Sequence, residues 1–360
     1  MARTSFITVI FMALIFLVSS CSPPEVEGAK VHLKNKRFDD ALVQLEKAVK
    51  LYPDNPEAWY LYGEVNGQLK NYDKMIEAFK KSEALGNQFI VQITNDRQRF
   101  FAQSYNDGVK DYQNYPKLRE SDPEKAKEVM KSAINNFRIA NEINPTYQAA
   151  RMVGICYQVL DEKDKAIEVY SKLTQTYPDS AEAYSDLGSL YFFTQQYDKA
   201  IESLNKSVEL DSSNANAYTL LAQTYDFKKD TKNAIAAYRK AIKLNPEEKA
   251  LPFNLGLLLV NTANAEGTSP EDKKALLTES IEYFNQVLEI DPEFKEAYQL
   301  KGQSELLLEK YEDARDTLSE GVEYFPDDAN MWYNLGVAFA HTNQKKKAEE
   351  AFAKAEKLGN

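Results

Sequence analysis

The sequence predicts an all-α chain, an array of short helical hairpins, and three periodic series of residues carry that prediction. A small residue recurs near the middle of successive apolar stripes, at Ala29, Gly63, Gly108, Gly154, Gly188, Ala222, Gly256, Gly302 and Gly336. Five of its eight steps are 34 residues and the other three are 45 or 46. A second series follows inside each copy, at Ala41, Met75, Ala133, Ala166, Ala200, Ala234, Ser280, Ala314 and Ala348. Two helices of a hairpin approach closely only where one offers no side-chain bulk, so Gly or Ala sits at the crossing despite the helix cost of Gly. A third series, Pro53, Pro145, Pro178, Pro246, Pro292 and Pro326, closes second helices. Proline cannot continue a helix and pushes the residue before it toward extended geometry.

The cleanest copy is 181–214, AEAYSDLGSLYFFTQQYDKAIESLNKSVELDSSN. Tyr184, Leu187, Gly188 and Tyr191 fall at helical spacing, Gln195 and Gln196 break the pattern, and Ala200, Leu204 and Ser207 resume it. One such pair cannot bury its apolar stripe alone, so the copies must stack on one another.

A 34-residue helix-turn-helix with an early Trp or Tyr, then Leu-Gly, Tyr, Ala, an aromatic, Ala and Pro resembles the tetratricopeptide repeat. The stretch WYNLGVAF from Trp332, with Ala348, Phe352 and Ala355, carries the resemblance, as do Tyr218, Tyr225, Ala234, Tyr238, Ala241 and Pro246. It covers about nine units over residues 22–360. What it implies is a right-handed α-solenoid whose first helices line a concave groove that binds peptides or other proteins. The fold itself hosts many unrelated tasks, so function has to be argued from the groove.

Residues 1–20 read as a targeting segment. Arg3 gives a weakly basic start, and the 13-residue apolar run Phe6 to Val18 is too short to span a bilayer. Val18-Ser19-Ser20-Cys21 resembles a bacterial lipobox. That resemblance implies cleavage before Cys21 and lipid on its sulfur and amine, so that the mature protein, 21–360, is held to the cell envelope by lipid. Ser22 after the cysteine looks like the pattern sent to an outer membrane, facing the periplasm or the surface. Acyl chains contribute about 0.8 kcal/mol per buried CH₂, and two or more make anchoring stable. Ser22, Pro23 and Pro24 reach only about 10 Å, which predicts that the amino-terminal end of the array rests near the bilayer.

Units one and two occupy 22–55 and 56–89, with Gly86 closing a second helix. An excess follows at 90–100, read as partly an extension of the next first helix, with Thr94, Asn95 and Asp96 as caps. Unit three is 101–146 and carries a long hairpin at 109–132; unit seven is 249–294, with its counterpart at 257–279. Ser121-Asp122-Pro123-Glu124 and Thr268-Ser269-Pro270-Glu271 are helix start signals, so these second helices begin early. The extra apolar positions Ala126, Val129 and Met130 need cover from Val109 and Tyr112, as Leu276 and Leu277 need Leu258 and Leu259. The two hairpins lie 148 residues apart, an offset shared by the units around Gly154 and Gly302, which suggests a duplicated block. Units four to six, at 147–180, 181–214 and 215–248, are regular, and units eight and nine fill 295–328 and 329–360. No extra polar helix follows. Either Lys345 to Lys347, Glu349, Glu350 and Lys354 solvate the last unit, or it docks on a partner or on itself by self-association.

Lys and Arg number 44 against 55 Asp and Glu, and loss of Arg3 leaves the mature part at −12, which argues against nucleic acid as a partner. The two cysteines, Cys21 and Cys156, provide no disulfide framework, and Cys156 reads as a small core residue. Two histidines, His32 and His341, stand at opposite ends of the array, and no phosphate loop or hydrolase motif is present. The chain is therefore expected to be non-catalytic, with no cofactor and no metal.

The candidate site is the groove. Tyr60, Tyr105, Arg151, Phe253 and Tyr333 stand fifth in their first helices, which point inward in the resembled family, and Phe192, Phe193, Gln223 and Phe227 stand farther along. Two readings of the aromatics are open: packing between neighbouring helices, or a hydrophobic, amide-rich channel for an extended or helical partner segment. Two function classes are also open, the charge and continuous groove favouring the first and the clustering of Phe192, Phe193 and Phe227 suiting the second. One is a lipoprotein scaffold that binds protein partners for envelope, secretion or pilus assembly; the other is a periplasmic or surface lipoprotein whose aromatics stack on a glycan or another small ligand.

Overall fold

The connections explain the architecture. In a plain unit the first helix ends, one residue turns left-handed, and the second helix starts at once. Lys36, Lys70, Asp161, Gln195, Lys229, Glu309 and Asn343 occupy that turn with φ between 56° and 63°. The second helix ends in extended backbone, and the next first helix opens on a side-chain cap. Asn55, Thr146, Ser180, Asn214 and Asp328 each accept the backbone N–H three residues on. Trp59 Nε1 donates to the Pro53 carbonyl at 2.7 Å and Trp332 Nε1 to that of Pro326 at 2.8 Å, which fixes two of these joints.

The computed structural model describes residues 22–359, so the targeting segment expected at 1–20 and the lipidation expected at Cys21 lie outside the described residues. Those described form 18 α-helices and no strand. The chain divides into two compact units, Met1–Val169 and Tyr170–Asn360. The first holds α1 (Pro24–Lys34), α2 (Phe38–Leu51), α3 (Pro56–Gln68), α4 (Tyr72–Leu85), a 3₁₀ turn (Asn87–Phe89), α5 (Ile90–Ser121), α6 (Pro123–Ile143) and α7 (Tyr147–Val159). The boundary falls inside α8 (Lys163–Thr176). The second unit continues with α9 (Ala181–Phe193), α10 (Tyr197–Leu210), α11 (Ala215–Phe227), α12 (Thr231–Leu244), α13 (Ala250–Ala263), α14 (Pro270–Ile290), α15 (Lys295–Leu307), α16 (Tyr311–Tyr324), α17 (Ala329–His341) and α18 (Lys345–Gly359). Consecutive helices pair as antiparallel hairpins, and the fold is an α-solenoid.

Hairpin crossings are as tight as the small-residue series requires. A Cβ placed on Gly188 would meet Leu204 Cγ at 2.6 Å, and Leu204 is fully buried. Gly67 makes a second close approach, outside that series. There a Cβ would lie 2.4 Å from the Phe100 ring and 2.8 Å from Met75 Sδ.

Phe100 belongs to a long departure from the plain repeat, the extension that opens unit three. The whole of 90–100 is helical and continuous with the first helix of unit three, so α5 runs for 32 residues. Thr94, Asn95 and Asp96 do not cap anything: the Thr94 hydroxyl donates to the Ile90 carbonyl at 2.7 Å, and Asp96 pairs with Arg99 at 2.6 Å. Burial decides the matter, because Ile93 and Phe100 must fill the cluster formed with Tyr72, Met75, Phe79 and Ile143. A cap at 94–96 would break the helix between them. The hairpin with α6 lies farther along the same rod, where Tyr105 meets Phe137 edge-on at 5.3 Å and Ser104 Oγ donates to the Asn136 carbonyl at 2.9 Å.

The two long second helices, α6 and α14, start at Pro123 and Pro270 and have 21 residues each, against 14 in a plain unit such as α12. Asp122 and Ser269 cap them. Val109, Tyr112 and Tyr115 cover Met130, while Leu276 packs against the cluster that holds Leu258 and Leu259. The two hairpins are nevertheless unlike. In the second, α13 stops at Ala263, Gly267 turns with φ 87°, and Thr268 Oγ1 closes the loop on the Thr262 carbonyl at 2.9 Å. No such breaker interrupts α5, which passes through Pro116 to Ser121. At the carboxyl end, the outward positions of α18 include Lys345, Lys346, Lys347, Glu349 and Glu350, all exposed, and among the described residues no large apolar side chain of that helix is exposed.

One buried charge stands out. The side chain of Glu305 on α15 is 5% exposed, Lys301 Nζ lies 3.9 Å away, and Oε2 has no hydrogen-bond partner. Burial pushes this carboxyl up to about 6, against the pull of Lys301 and Thr317.

Gly67→Ala should cost about 1 to 3 kcal/mol in urea unfolding, because Phe100 and Met75 are both buried and cannot swing away. Glu305→Gln should stabilise at pH 7.5 by about 2 kcal/mol. The raised folded-state pKa means that ionisation is penalised above about pH 6, whereas below pH 4.5 the carboxyl is neutral in both states and the advantage should vanish. Unfolding curves at the two pH values check both the size and the sign.

Candidate functional site

A first helix in this array ends two residues before its left-handed turn, so whatever occupies its last turn stands at the rim. In α9 those residues are Phe192 and Phe193, followed by Gln195 in the turn; in α11 the last residue is Phe227, followed by Lys229. The stacking of the hairpins brings them together. Phe192 lies 5.3 Å from Phe193 and 5.7 Å from Phe227, and Tyr197, at the start of α10, stacks nearly parallel on Phe227 at 5.7 Å. Phe192 and Tyr197 are half-buried, but Phe193 and Phe227 are 65% and 61% exposed. Lys228 pairs with Asp198 beside them.

Phe227 is also one wall of a cleft of about 330 Å³. Gln223 and Asp226 of α11 face Asn254, Leu257 and Asn261 of α13 across it, and Tyr238 of α12 forms part of the lining. Burial raises the Tyr238 phenol, and Asp226 adds to the effect. Three side-chain amides each offer a donor and an acceptor, Asp226 supplies one carboxylate, and Phe227 and Leu257 supply apolar walls. Such a surface can pair with the backbone of an extended chain and seat an apolar side chain beside it.

The other candidates lie elsewhere. Tyr60 stacks on Phe89 at 5.1 Å and on Phe79 at 6.3 Å, half-buried, and burial together with Glu64 and Asp96 raises its phenol. Tyr105 is held between Phe101 at 5.7 Å and Phe137. Arg151 is half-buried on α7. Phe253 packs on Phe294 at 4.9 Å and Phe284 at 6.2 Å. Tyr333 is exposed, with its ring 5.5 Å from Phe352. The cleft residues Asp226, Asn254, Leu257 and Asn261 were not singled out in the sequence. A signal was present for one of them, since the 34-residue step from Phe193 to Phe227 lands on Asn261.

Family models described as tetratricopeptide repeat match residues 26–88 and 300–360, 179–247, and 148–180, more than half of the chain. The chain belongs to the tetratricopeptide repeat family. The two internal stretches left unmatched, 89–147 and 248–299, hold the two insertion-bearing tetratricopeptide repeats. Anaphase-promoting complex subunit 3 of Schizosaccharomyces pombe is 25% identical over 81 residues, which are 22% of this chain and 12% of that protein. The chain thus spans about an eighth of the length of that curated relative. Among solved structures, YrrB, described as a TPR protein with an unusual peptide-binding site, is 24% identical with a TM-score of 0.44, over 53% of this chain and 93% of its own. MamA from Desulfovibrio magneticus is 21% identical with a TM-score of 0.39, over 52% and 96%. These likenesses concern the fold.

Cys156 follows the small residue of the fourth tetratricopeptide repeat. It is fully buried, and burial pushes its thiol up to about 12. A maleimide at pH 8 should leave Cys156 unmodified in the native protein and label it fully in urea, as read by peptide mass spectrometry; native labelling would contradict the packing described here.

Proposed function

We propose that this chain is a membrane-anchored, non-catalytic scaffold, a lipoprotein held through Cys21 in a bacterial cell envelope, which captures a segment of a protein partner during envelope, secretion or pilus assembly. The observation that carries this reading is the joined surface of exposed Phe193 and Phe227 with the amide-lined cleft of Gln223, Asn254 and Asn261. Exposed aromatic rings beside side-chain amides are costly to leave to water and well suited to an extended polypeptide. The partner is a protein rather than a nucleic acid, because the mature chain is strongly acidic and the cleft has a carboxylate but no cation among its lining residues. The apolar run 6–18 and the lipobox-like tetrad 18–21 support the lipid anchor.

A second reading rests on the same two rings, whose exposed faces suit stacking on a glycan. Saturable thermal stabilisation by glycans would favour it.

The groove variants must avoid Tyr105 and Phe253, which pack against buried rings and would lose stability rather than capture. Phe193→Ala with Phe227→Ala should change unfolding stability by no more than about 0.5 kcal/mol, because both side chains are exposed. The same pair should weaken recovery of a cross-linked envelope partner by tenfold or more, as expected of aromatic hot spots worth about 1 to 2 kcal/mol each. Equal recovery by wild type and variant would rule out this surface.

A further inference from the structure

The first compact unit exposes a group of apolar side chains at the edge where the chain enters, while Val31, late in α1, Val43, midway along α2, and Val159, at the end of α7, are exposed elsewhere. Six contacts define the entry edge. Ser22 Oγ donates to Glu57 Oε2 at 2.7 Å, joining the entry to the start of α3, and Lys30 Nζ reaches the same carboxylate at 2.6 Å. Tyr52, just after α2, meets Glu25 in the first turn of α1. Ser82 near the end of α4 donates to the Pro56 carbonyl at 2.8 Å, and Lys81 Nζ lies 4.3 Å above the Trp59 ring. Phe89 stacks on Tyr60, which brings the start of α5 to the same level. Along this edge Leu51, Leu85, Ile90 and Val91 are exposed, Val91 by 65%, with Trp59 half-exposed among them.

We infer that this edge lies on a phospholipid surface, with Leu51, Trp59, Leu85, Ile90 and Val91 dipping into the headgroup layer. The inference rests on the lipid anchor proposed above. One peptide unit, about 3.8 Å between Cα atoms, joins Cys21 to Ser22, and the Ser22 hydroxyl is held by Glu57. An acyl group on Cys21 therefore has no linker with which to stand the array off, and the side chains nearest the bilayer are those of this edge. Exposed Leu, Ile and Val beside an indole are the composition of an interfacial contact, and a lysine above the indole can keep its head in water while its stem lies flat. The charge balance selects the lipid. Glu57 is paired with Lys30 and Glu83 with Arg97, leaving little net charge on the edge, and the mature chain is acidic. The surface is therefore expected to be zwitterionic lipid, with contact driven by apolar insertion and not by attraction to anionic headgroups.

Helix α5 provides the ruler for the test. Val91 and the exposed Glu120 are on the same rod, roughly 44 Å apart. The full-length lipidated protein, with Val91→Cys, Leu51→Cys or Glu120→Cys labelled by acrylodan, would be reconstituted in phosphatidylcholine vesicles with and without brominated phosphatidylcholine. Cys156 is buried and does not compete for label. Severalfold stronger quenching at 91 and 51 than at 120, with blue-shifted emission, is expected. Equal quenching at all three sites on protein whose Cys21 is acylated by mass spectrometry would overturn the inference and leave the anchor standing. Blue-shifted but unquenched probes at 91 and 51, with a doubled mass in solution, would replace the bilayer by a second copy. An unacylated Cys21 would remove the anchor and this inference with it.

Discussion

Where the two helices of a hairpin cross, one of them must present no side chain, because the other delivers a whole Phe or Leu into the same space. Phe79 fills the gap at Gly63, Leu204 that at Gly188 and Phe352 that at Gly336. This exchange of bulk for emptiness sets the interhelix distance in every such hairpin. It also fixes where the hairpin's outer stripe lies, and hence what the next hairpin packs upon. The Gly67 approach applies the same rule between units, since Phe100 arrives there from the inserted part of α5 and not from a hairpin partner. Interiors packed this closely tolerate neither an added methyl nor a loose fit, so one rule of volume, repeated, specifies the array.

Much of the fold was legible in the sequence because that rule leaves a periodic trace. The trace gives hairpins, caps and closing prolines, each from local chemistry. It fails where burial overrides a local preference. Thr94, Asn95 and Asp96 favour a helix start, yet Ile93 and Phe100 on either side of them have to reach one cluster, and the helix runs straight through. The turns were also silent: Lys36, Lys70, Gln195, Lys229 and Glu309 adopt a left-handed conformation usually signalled by Gly or Asn, and only the tight geometry of the crossing compels it.

The site divides along similar lines. Phe193 and Phe227 share a register, so their common place at the rim could be read from spacing, with Phe192 between them. Tyr60, Tyr105 and Phe253 also share one, but each finds a further ring beside it. Phe89 and Phe294 stand just before a later first helix, Phe101 lies one turn back on the helix of Tyr105, and the rings close on one another instead of facing the groove. Tyr333 has Phe352 at its side and still stays exposed. Asn254 carries no pattern of its own and Asn261 only the 34-residue step from Phe227, and the approach of α13 to α11 makes them a wall. The exposure of Phe193 and Phe227 is itself a product of the turn, since a chain that must reverse within three residues leaves its last helical side chain without a neighbour to cover it.

The lengths of the insertions are not arbitrary. The inserted stretch 90–100 is eleven residues, and α6 and α14 exceed the plain second helix by seven. Three turns of α-helix take about 10.8 residues and two take about 7.2, so both additions return the helix nearly to its starting angle. A helix lengthened by whole turns keeps each face on its original heading, and the next helix meets the same neighbours from farther along the axis. An addition of one or two residues would instead swing the apolar stripe by roughly 100° or 200° and point it at solvent. Growth in this array is thus quantised by the pitch of the helix, and the permitted steps are translations with almost no rotation.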